Sequence, residues 1–367
     1  ELLEFFPTNS LSWEQLEYRQ GSILNLHYGL IHSGLPTCID ISLHQLPSIK
    51  EEEYPKTYTL CTNGDIAFAD ASEDTNDVAK VIEFTDCKDA QVVCGLHTIH
   101  GRDKLNITEI GFKSYAFSSP SFHQQIRRLA QGTKVYSINQ KNFSECYVAI
   151  PERKEQQKIT ALLSLLDTRL STQNKIIEEL KLLKSAIRDK LYSRLKNAEC
   201  NSLRFRDILE YEQPSRYIVD KDGYFLDCTL TPVLTANKAF ILGYTPERTG
   251  IYDKGECIIF DDFTMDSKFV NFPFKVKSSA IKILQARKGF DIYFIFEYIA
   301  YLRLSSEEHK RHYISEIEPL KILMPSYEAQ QRIASILIAM DIKIANALKE
   351  AELYAQQKQY LLSNLFI

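Results

Sequence analysis

The feature that most constrains this chain is that part of it is written twice. Pro151-Glu-Arg-Lys-Glu-Gln-Gln-Lys-Ile-Thr160 returns as Pro325-Ser-Tyr-Glu-Ala-Gln-Gln-Arg-Ile-Ala334, shifted by 174 positions. Under that shift Gln156 and Gln157 fall on Gln330 and Gln331, and Ile159 falls on Ile333. Leu163 meets Leu337, Asp167 meets Asp341 and Lys184 meets Lys358. An internal repeat speaks more strongly about architecture than any single motif. This one predicts two copies of one plan, each a globular part followed by a long helix.

The spacing of apolar residues says what the helices are for. In the first copy they run Ile159, Leu163, Leu166, Leu170, Ile177, Leu180, Ile187, Leu191. In the second they run Ile333, Leu337, Met340, Ile344, Ala347, Ala351, Tyr354, Leu361, Leu365. Steps of four and three are the heptad spacing of a helix buried along a narrow stripe against another helix. Gln173, Lys184 and Lys358 fill the steps where an apolar residue is missing. Each helix runs for about 40 to 45 residues, or roughly 60 to 68 Å, and a proline at each entrance suits a helix start. A lone helix would leave its stripe in water, so the two copies are expected to pack on each other. The plainer reading lays each helix separately on its own domain.

A chain of 367 residues is long enough for two domains with real cores. Eight scattered cysteines form no C-x-x-C pair, the usage of a reducing compartment, so a cytoplasmic location is expected. The longest apolar run, Ile292 to Leu302, is short and interrupted by Glu297, which predicts a buried element and no membrane span. The chain opens at Glu1 without Met, so a few residues are expected to be missing or cut before it. A net charge of −4 argues against a simple electrostatic binder of nucleic acid. The segment 152–196, however, holds 11 Lys and Arg against 6 Asp and Glu, so the acidity lies elsewhere and can be kept off a DNA face.

The chain divides into a mixed α/β domain over 1–150, a long helix over 151–197, a second globular domain over 198–324 and a second long helix over 325–367. Strands are expected at Gly64–Phe68 and Ala90–Cys94, and a helix at Ser119–Ala130 entered through Ser119-Pro120. In the second half Gly255-Glu-Cys-Ile-Ile-Phe260 looks like a counterpart of Gly64-Asp-Ile-Ala-Phe68. A short helix is expected at Lys277–Leu284 and a longer one at Asp291–Leu304. Beyond those echoes the globular halves do not match. One element keeps a common geometry while the other varies in what it touches.

No catalytic set emerges. The chain contains no G-x-G, no phosphate loop and no G-x-S-x-G elbow. Asn271-Phe-Pro-Phe274 is a near miss for the Asn-Pro-Pro-Phe turn of adenine methyltransferases, but no cofactor loop accompanies it, and a bend between strands is expected. Cys94-x-x-His97-x-x-His100 has three metal-ligand types, yet residues three apart on a strand face opposite ways. A strand ending near Gly101 with ordinary histidines is the simpler reading. Asp261, Asp262 and Asp266 lack the partners of a nuclease magnesium site and read as a polar loop.

What remains is recognition. Basic and aromatic residues interleave at Arg102, Lys104, Lys113, Tyr115, Arg127, Arg128, Lys134 and Tyr136 in the first half. In the second they are Arg216, Tyr217, Lys238, Arg248, Lys268, Lys275, Lys277, Arg311, His312 and Tyr313. Lys and Arg neutralise phosphates, and carboxylates such as Asp261 and Asp262 also read base edges. For any one of these a solvated surface charge is the commoner role.

The duplicated Pro, Gln-Gln, basic residue and Ile pattern, continued by Leu162-Leu163 to Asp167 in the first copy and Ile336-Leu337 to Asp341 in the second, resembles the long helices of type I restriction–modification specificity subunits, whose pattern continues Leu-Leu-x-x-x-Asp. Gly255 to Asp262 with Ser267-Lys268 resembles a recurring second-domain segment of the same family. Ala329, where the first copy has Glu155, departs from the pattern. The resemblance implies two α/β target recognition domains held apart by an antiparallel helix pair with a pseudo-twofold axis. Each domain would read one part of a split, asymmetric double-stranded DNA target. Helix pairing and partner binding would fall to Gln156, Gln157, Ile159, Leu163, Leu166 and Leu170, and to Gln330, Gln331, Ile333, Leu337, Met340 and Ile344. Two methyltransferase subunits would dock there and bring S-adenosylmethionine; restriction subunits would bring ATP and Mg. This chain would hold no cofactor and catalyse nothing. The alternatives are a subunit of a related methylation-linked nuclease system and a coiled-coil scaffold that ignores DNA.

Overall fold

The computed structural model describes residues 2–18, 21–87, 90–220, 223–235, 240–304 and 312–366. Lys238 and Arg311 lie outside the described residues. The chain forms two compact units, 1–174 with 349–367, and 175–348. Each unit therefore contains one globular portion and a stretch of each long helix.

The long helices are Arg153–Ser193, 41 residues, and Tyr327–Leu365, 39 residues. Neither contains Gly or Pro, and each begins with an acidic residue in the first turn, Glu155 and Glu328, where the helix dipole favours it. In the first unit Ile159, Leu163 and Leu166 pack with Leu362 and Phe366 of the second helix and with Phe112, Tyr115 and Ala116 of the globular part. In the second unit Leu337 and Ala334 join Tyr192, Leu195, Phe294 and Tyr298 in one core. Within each unit the heptad stripe thus meets both the other helix and the domain, so each of the two readings of the stripe describes part of the packing. Leu170, Ile333 and Ile344 are half-buried, Met340 is buried, and Gln157 and Gln331 face solvent.

Polar positions in the stripe are used for pairing. In the first unit Lys358 donates to Asp167 Oδ1 at 2.5 Å, and the Tyr115 hydroxyl donates to Asp167 Oδ2 at 2.9 Å. Further along, Gln173 donates to Glu350 at 3.2 Å. As the residue number rises on one helix it falls on the other, so the pairing is antiparallel. In the second unit Lys184 donates to Asp341 Oδ1 at 2.6 Å and the Tyr293 hydroxyl to Asp341 Oδ2. The same three residue types meet in both units, with the helices exchanging acid and base. Burial, and after it neighbouring ionisable groups including the bonded aspartate, raises both phenols well above the ordinary tyrosine range, so they stay donors.

Gln156 and Gln330 are buried at matching places and make matching bonds. Gln156 Oε1 accepts from the Glu109 N–H at 2.7 Å while its amide donates to the Pro151 carbonyl at 2.8 Å. Gln330 Oε1 accepts from the Asp291 N–H at 2.9 Å while its Nε2 donates to the Pro325 carbonyl at 2.9 Å. Each latches the start of a long helix to its domain. Both side chains are buried and committed to these bonds.

The domains share a sheet plan. In the first, Leu3–Phe6, Thr98–Asp103, Ile66–Ala69 and Val81–Asp86 lie side by side, all antiparallel, with Cys38–Asp40 added in parallel at the edge. In the second the order is Leu209–Glu212, Ile281–Ala286, Cys257–Asp261, Ser267–Val270, again antiparallel. Among the four antiparallel strands of each, the last in sequence lies between the first and the second. Gly64 and Gly255 turn into equivalent strands with φ of 87° and 89°, a conformation natural to glycine. A second sheet differs between the domains: four short strands including Ile23–Leu26 and Gln91–Cys94 in the first, three including Thr231–Leu234 and Ile241–Thr245 in the second.

The helix expected at Lys277–Leu284 is not there; Ile281–Ala286 is a strand. Its side chains alternate, Ile281 and Ile283 entering one apolar cluster and Leu284 the other, with Lys282 bonded to the Tyr211 hydroxyl at 3.1 Å. A period of two with β-branched residues decides it. The helix Ile292–Leu302 forms as expected, capped by Asp291 and ended by Arg303 in the left-handed region. Pro120–Leu129 is likewise a helix, capped by Ser119, and Asn271–Phe274 is a bend between two strands. No helix among the described residues is long and apolar enough to cross a membrane.

Gln156→Ala removes a buried amide and takes the partner from the half-buried Glu109 N–H. We expect a loss of about 2 kcal/mol in chemical unfolding, the usual cost of breaking hydrogen bonds at a largely buried site. The exposed neighbour Gln157→Ala should cost no more than about 0.5 kcal/mol. Equal costs would show that the latch does not matter.

Candidate nucleic-acid interface

The residues singled out for DNA contact divide sharply by burial. Lys113 is buried, 2.8 Å from Glu83 and bonded to Thr108 Oγ1 at 3.0 Å; burial pushes the Glu83 carboxyl up against the pull of that lysine. Tyr115 is buried on Asp167. Tyr217 donates to Glu212 at 2.6 Å, and Lys275 bonds the Thr249 carbonyl and Glu247, each at 2.7 Å. Asp261 accepts from the Phe263 N–H at 2.8 Å to shape the turn after its strand. Asp262 accepts from the His312 and Tyr313 N–H groups at 3.1 and 2.9 Å, and Tyr313 packs on Phe260. These eight residues, Lys113, Tyr115, Tyr217, Asp261, Asp262, Lys275, His312 and Tyr313, hold the domains together and do not face a duplex. A buried charge must be paired, and these are. Spacing alone could not distinguish them from surface charges.

Arg102 is also committed: its Nε and Nη2 hold the two Asp65 oxygens at 2.7 Å each, and its guanidinium lies 4.7 Å from the centre of the Phe6 ring. Lys268 and Lys277 are half-buried, the latter over the Tyr224 ring at 5.3 Å.

The remaining candidates are exposed and gather in each domain. In the first, Arg127 and Arg128 end the helix Pro120–Leu129, and Arg127 reaches Asn76 at 3.1 Å. Lys134 and the partly exposed Tyr136 lie on the segment that follows, where Tyr136–Ser137 pairs with Ala71–Ser72. Lys104 is exposed on a separate loop. In the second domain Arg216, in the short 3-10 helix Pro214–Tyr217, and Arg248, on a loop, lie on adjoining segments, because the Arg216 carbonyl lies against Gly250, whose φ is 62°.

A group absent from the sequence reading borders the first set. The rings of Trp13, His27, Tyr28 and His97 follow one another at centroid distances of 4.4, 4.8 and 5.2 Å. Tyr28, His32, His97 and Val135 line an open groove beside Ser72 and Asp74. Burial, then the charge of His97, holds the His27 imidazole below its ordinary value. These rings come from segments some 70 residues apart, so no local spacing could announce them.

The Cys94-x-x-His97-x-x-His100 segment is not one continuous strand. Gln91–Cys94 and Thr98–Asp103 belong to different sheets, joined by a turn in which His97 has φ of 55°. Exposed apolar side chains remain on the long helices, Leu162 and Leu165 in the first unit and Ile336, Ile338 and Ile342 in the second. Leu162 and Ile336 correspond under the 174-residue shift.

Residues 48–182 match the family model described as type I restriction modification DNA specificity domain. The chain is 39% identical over 179 residues to the type I restriction enzyme EcoR124I/EcoR124II specificity subunit of Escherichia coli, covering 45% of this chain and 44% of that protein. It therefore matches less than half the length of that relative. A second relative, provisionally assigned as the type I restriction enzyme MjaX specificity subunit of Methanocaldococcus jannaschii, is 24% identical across 89% of this chain and 83% of its own length. The crystal structure of the type I restriction–modification S subunit from M. genitalium shares the fold, with a TM-score of 0.60 and 15% identity over 100% of this chain and 94% of that one. Over residues 48–182 the chain is thus similar to the DNA specificity domain of type I restriction–modification systems, and over its whole length it shares the fold of one such S subunit.

Proposed function

We propose that this protein is the sequence-reading subunit of a type I restriction–modification assembly, with each domain reading one part of a split, asymmetric DNA target. The observation that carries the reading is a contrast: the Asp–Lys–Tyr contact and the glutamine latch repeat in both units, while the surfaces of the two domains differ. Repeated scaffolding with unlike surfaces is what two readers of unlike half-sites require.

The basic residues Arg127, Arg128 and Lys134 in the first domain, and Arg216 and Arg248 in the second, hold phosphates. Phosphate contacts set the register, and the groups beside them read bases. In the first domain those are the rings around Tyr28 and His97. Exposed leucines and isoleucines on the long helices seat two methyltransferase subunits, which supply S-adenosylmethionine and the adenine-modifying centre. Restriction subunits bring ATP and Mg. The modest charge of this chain is met by partners that share the phosphate contacts.

Replacing residues 201–324 by the equivalent segment of a relative should change one half of the methylated sequence and leave the other intact. Sequencing of methylated sites in cells carrying the chimera reads this directly. A change in both halves, or retention of both, contradicts modular reading.

Arg127→Ala with Arg128→Ala should weaken duplex binding by the assembled complex and flatten its salt dependence. The slope of log K against log salt should fall by about 1.8 for two lost phosphate contacts, at about 0.9 per phosphate. Lys275→Ala should lower stability and leave that slope unchanged. An unaltered slope in the double arginine variant removes these residues from the interface.

A further inference from the structure

The first domain buries a cluster that DNA recognition does not use. Cys61, Cys94 and His100 are almost fully enclosed, and one ligand atom of each lies within 4.8 Å of the other two. The sulfurs of Cys61 and Cys94 are 3.5 Å apart. They reach this place from three segments: the loop before Ile66–Ala69, the end of Gln91–Cys94 and the middle of Thr98–Asp103. The Cys61 N–H donates to the Val92 carbonyl at 2.8 Å, which holds the loop against the strand.

The imidazole sets this cluster apart from a packed thiol pair. His100 Nε2 meets Asp65 Oδ2 at 2.9 Å. Asp65 is fixed in turn by both Arg102 bonds and by the Thr62 N–H at 2.9 Å. That leaves Nδ1 buried and without a hydrogen-bond partner. A histidine oriented through one nitrogen by a carboxylate, with the other free, is the arrangement that presents imidazole to a metal ion. Two thiolates about 2.3 Å from a tetrahedral ion sit roughly 3.8 Å apart, close to the separation here, whereas a disulfide needs about 2.05 Å.

We propose that Cys61, Cys94 and His100 bind a thiophilic divalent cation of the zinc class. Binding replaces the two thiol protons, which leave to solvent, and two thiolates balance the ion's charge. The remaining ligand position is open to Cys87, a third buried thiol of the same apolar cluster, or to water. The ion would tie the sheet containing Gln91–Cys94 to the sheet containing Thr98–Asp103, and so fix the turn that carries His97 to the groove. Its role is structural. Of the Cys94-x-x-His97-x-x-His100 pattern only Cys94 and His100 belong to this cluster: the ring of His97 is exposed and meets Asp70 at 3.1 Å, and distant Cys61 supplies the third group.

The test is metal analysis of the full-length chain purified under reducing conditions without chelators, together with Co²⁺ titration of the metal-stripped protein. The expected result is about one zinc per chain and a tetrahedral cobalt–thiolate absorption. Cys94→Ser and His100→Gln should lose both, and Cys257→Ser, at a buried thiol of the second domain, should keep both. The cobalt titration uses the unaltered chain, so it decides the matter even if a variant fails to fold. Less than about 0.1 metal per chain with no thiolate band would overturn the proposal. So would a Cys61–Cys94 disulfide in the protein as isolated from cells.

Discussion

The structure depends on a charge pair placed where an apolar residue would otherwise complete a helix seam. Asp167 with Lys358, and Lys184 with Asp341, are the points at which each unit's two helix segments recognise one another. Partly buried ion pairs contribute little net stability, because desolvation consumes most of the attraction. Their value is in register. A polar residue at a seam position penalises every alignment that leaves it unpaired, while the surrounding leucines would tolerate a slip of one heptad. A tyrosine hydroxyl from the domain completes each pair, so the contact that aligns the helices also tells the domain where to sit along them.

That arrangement explains how one part of the sequence stays uniform while the other drifts. The latch glutamines and the Asp–Lys–Tyr contacts need only a helix start, a backbone N–H and one phenol from the globular portion. They impose nothing on the loops around Arg127 or Arg248. The helix after the last strand of the antiparallel sheet, Phe112–Phe117 in the first domain and Ile292–Leu302 in the second, supplies those few points together with the residues that enter it, and the second sheet and the loops are free to differ. In the first domain that freedom extends to the turn at His97, which separates two sheets where a single strand would have run through.

Much of this was legible in the sequence because helices write their packing locally. Heptad spacing, the entrance prolines and the 174-residue repeat announce two long helices and their pairing, and Lys184 and Lys358 were visible as gaps in the stripe. The domain surfaces were not legible. Lys113 and Lys275 have the composition of surface charges but lie in the interior, because Glu83 and Glu247, far away in sequence, pair with them. The Lys277–Leu284 helix failed because a short apolar run carries no length with which to separate periods of two and four. Cys61 joins Cys94 and His100 only through tertiary structure. Contacts between distant segments leave no spacing to read.

The most direct measurement is a double-mutant cycle on the first unit's charge pair. Asp167→Lys and Lys358→Asp, singly and together, would be followed by chemical unfolding of the full chain and by hydrogen exchange in 153–174 and 349–366. The second unit already carries its lysine on the first helix and its aspartate on the second, so the reversed pair has a working precedent. The account predicts that each single reversal loosens both segments and that the double recovers them, with a coupling of about 1–3 kcal/mol. Additive effects, within about 0.3 kcal/mol, would mean that the apolar stripe aligns the helices unaided and would contradict the account.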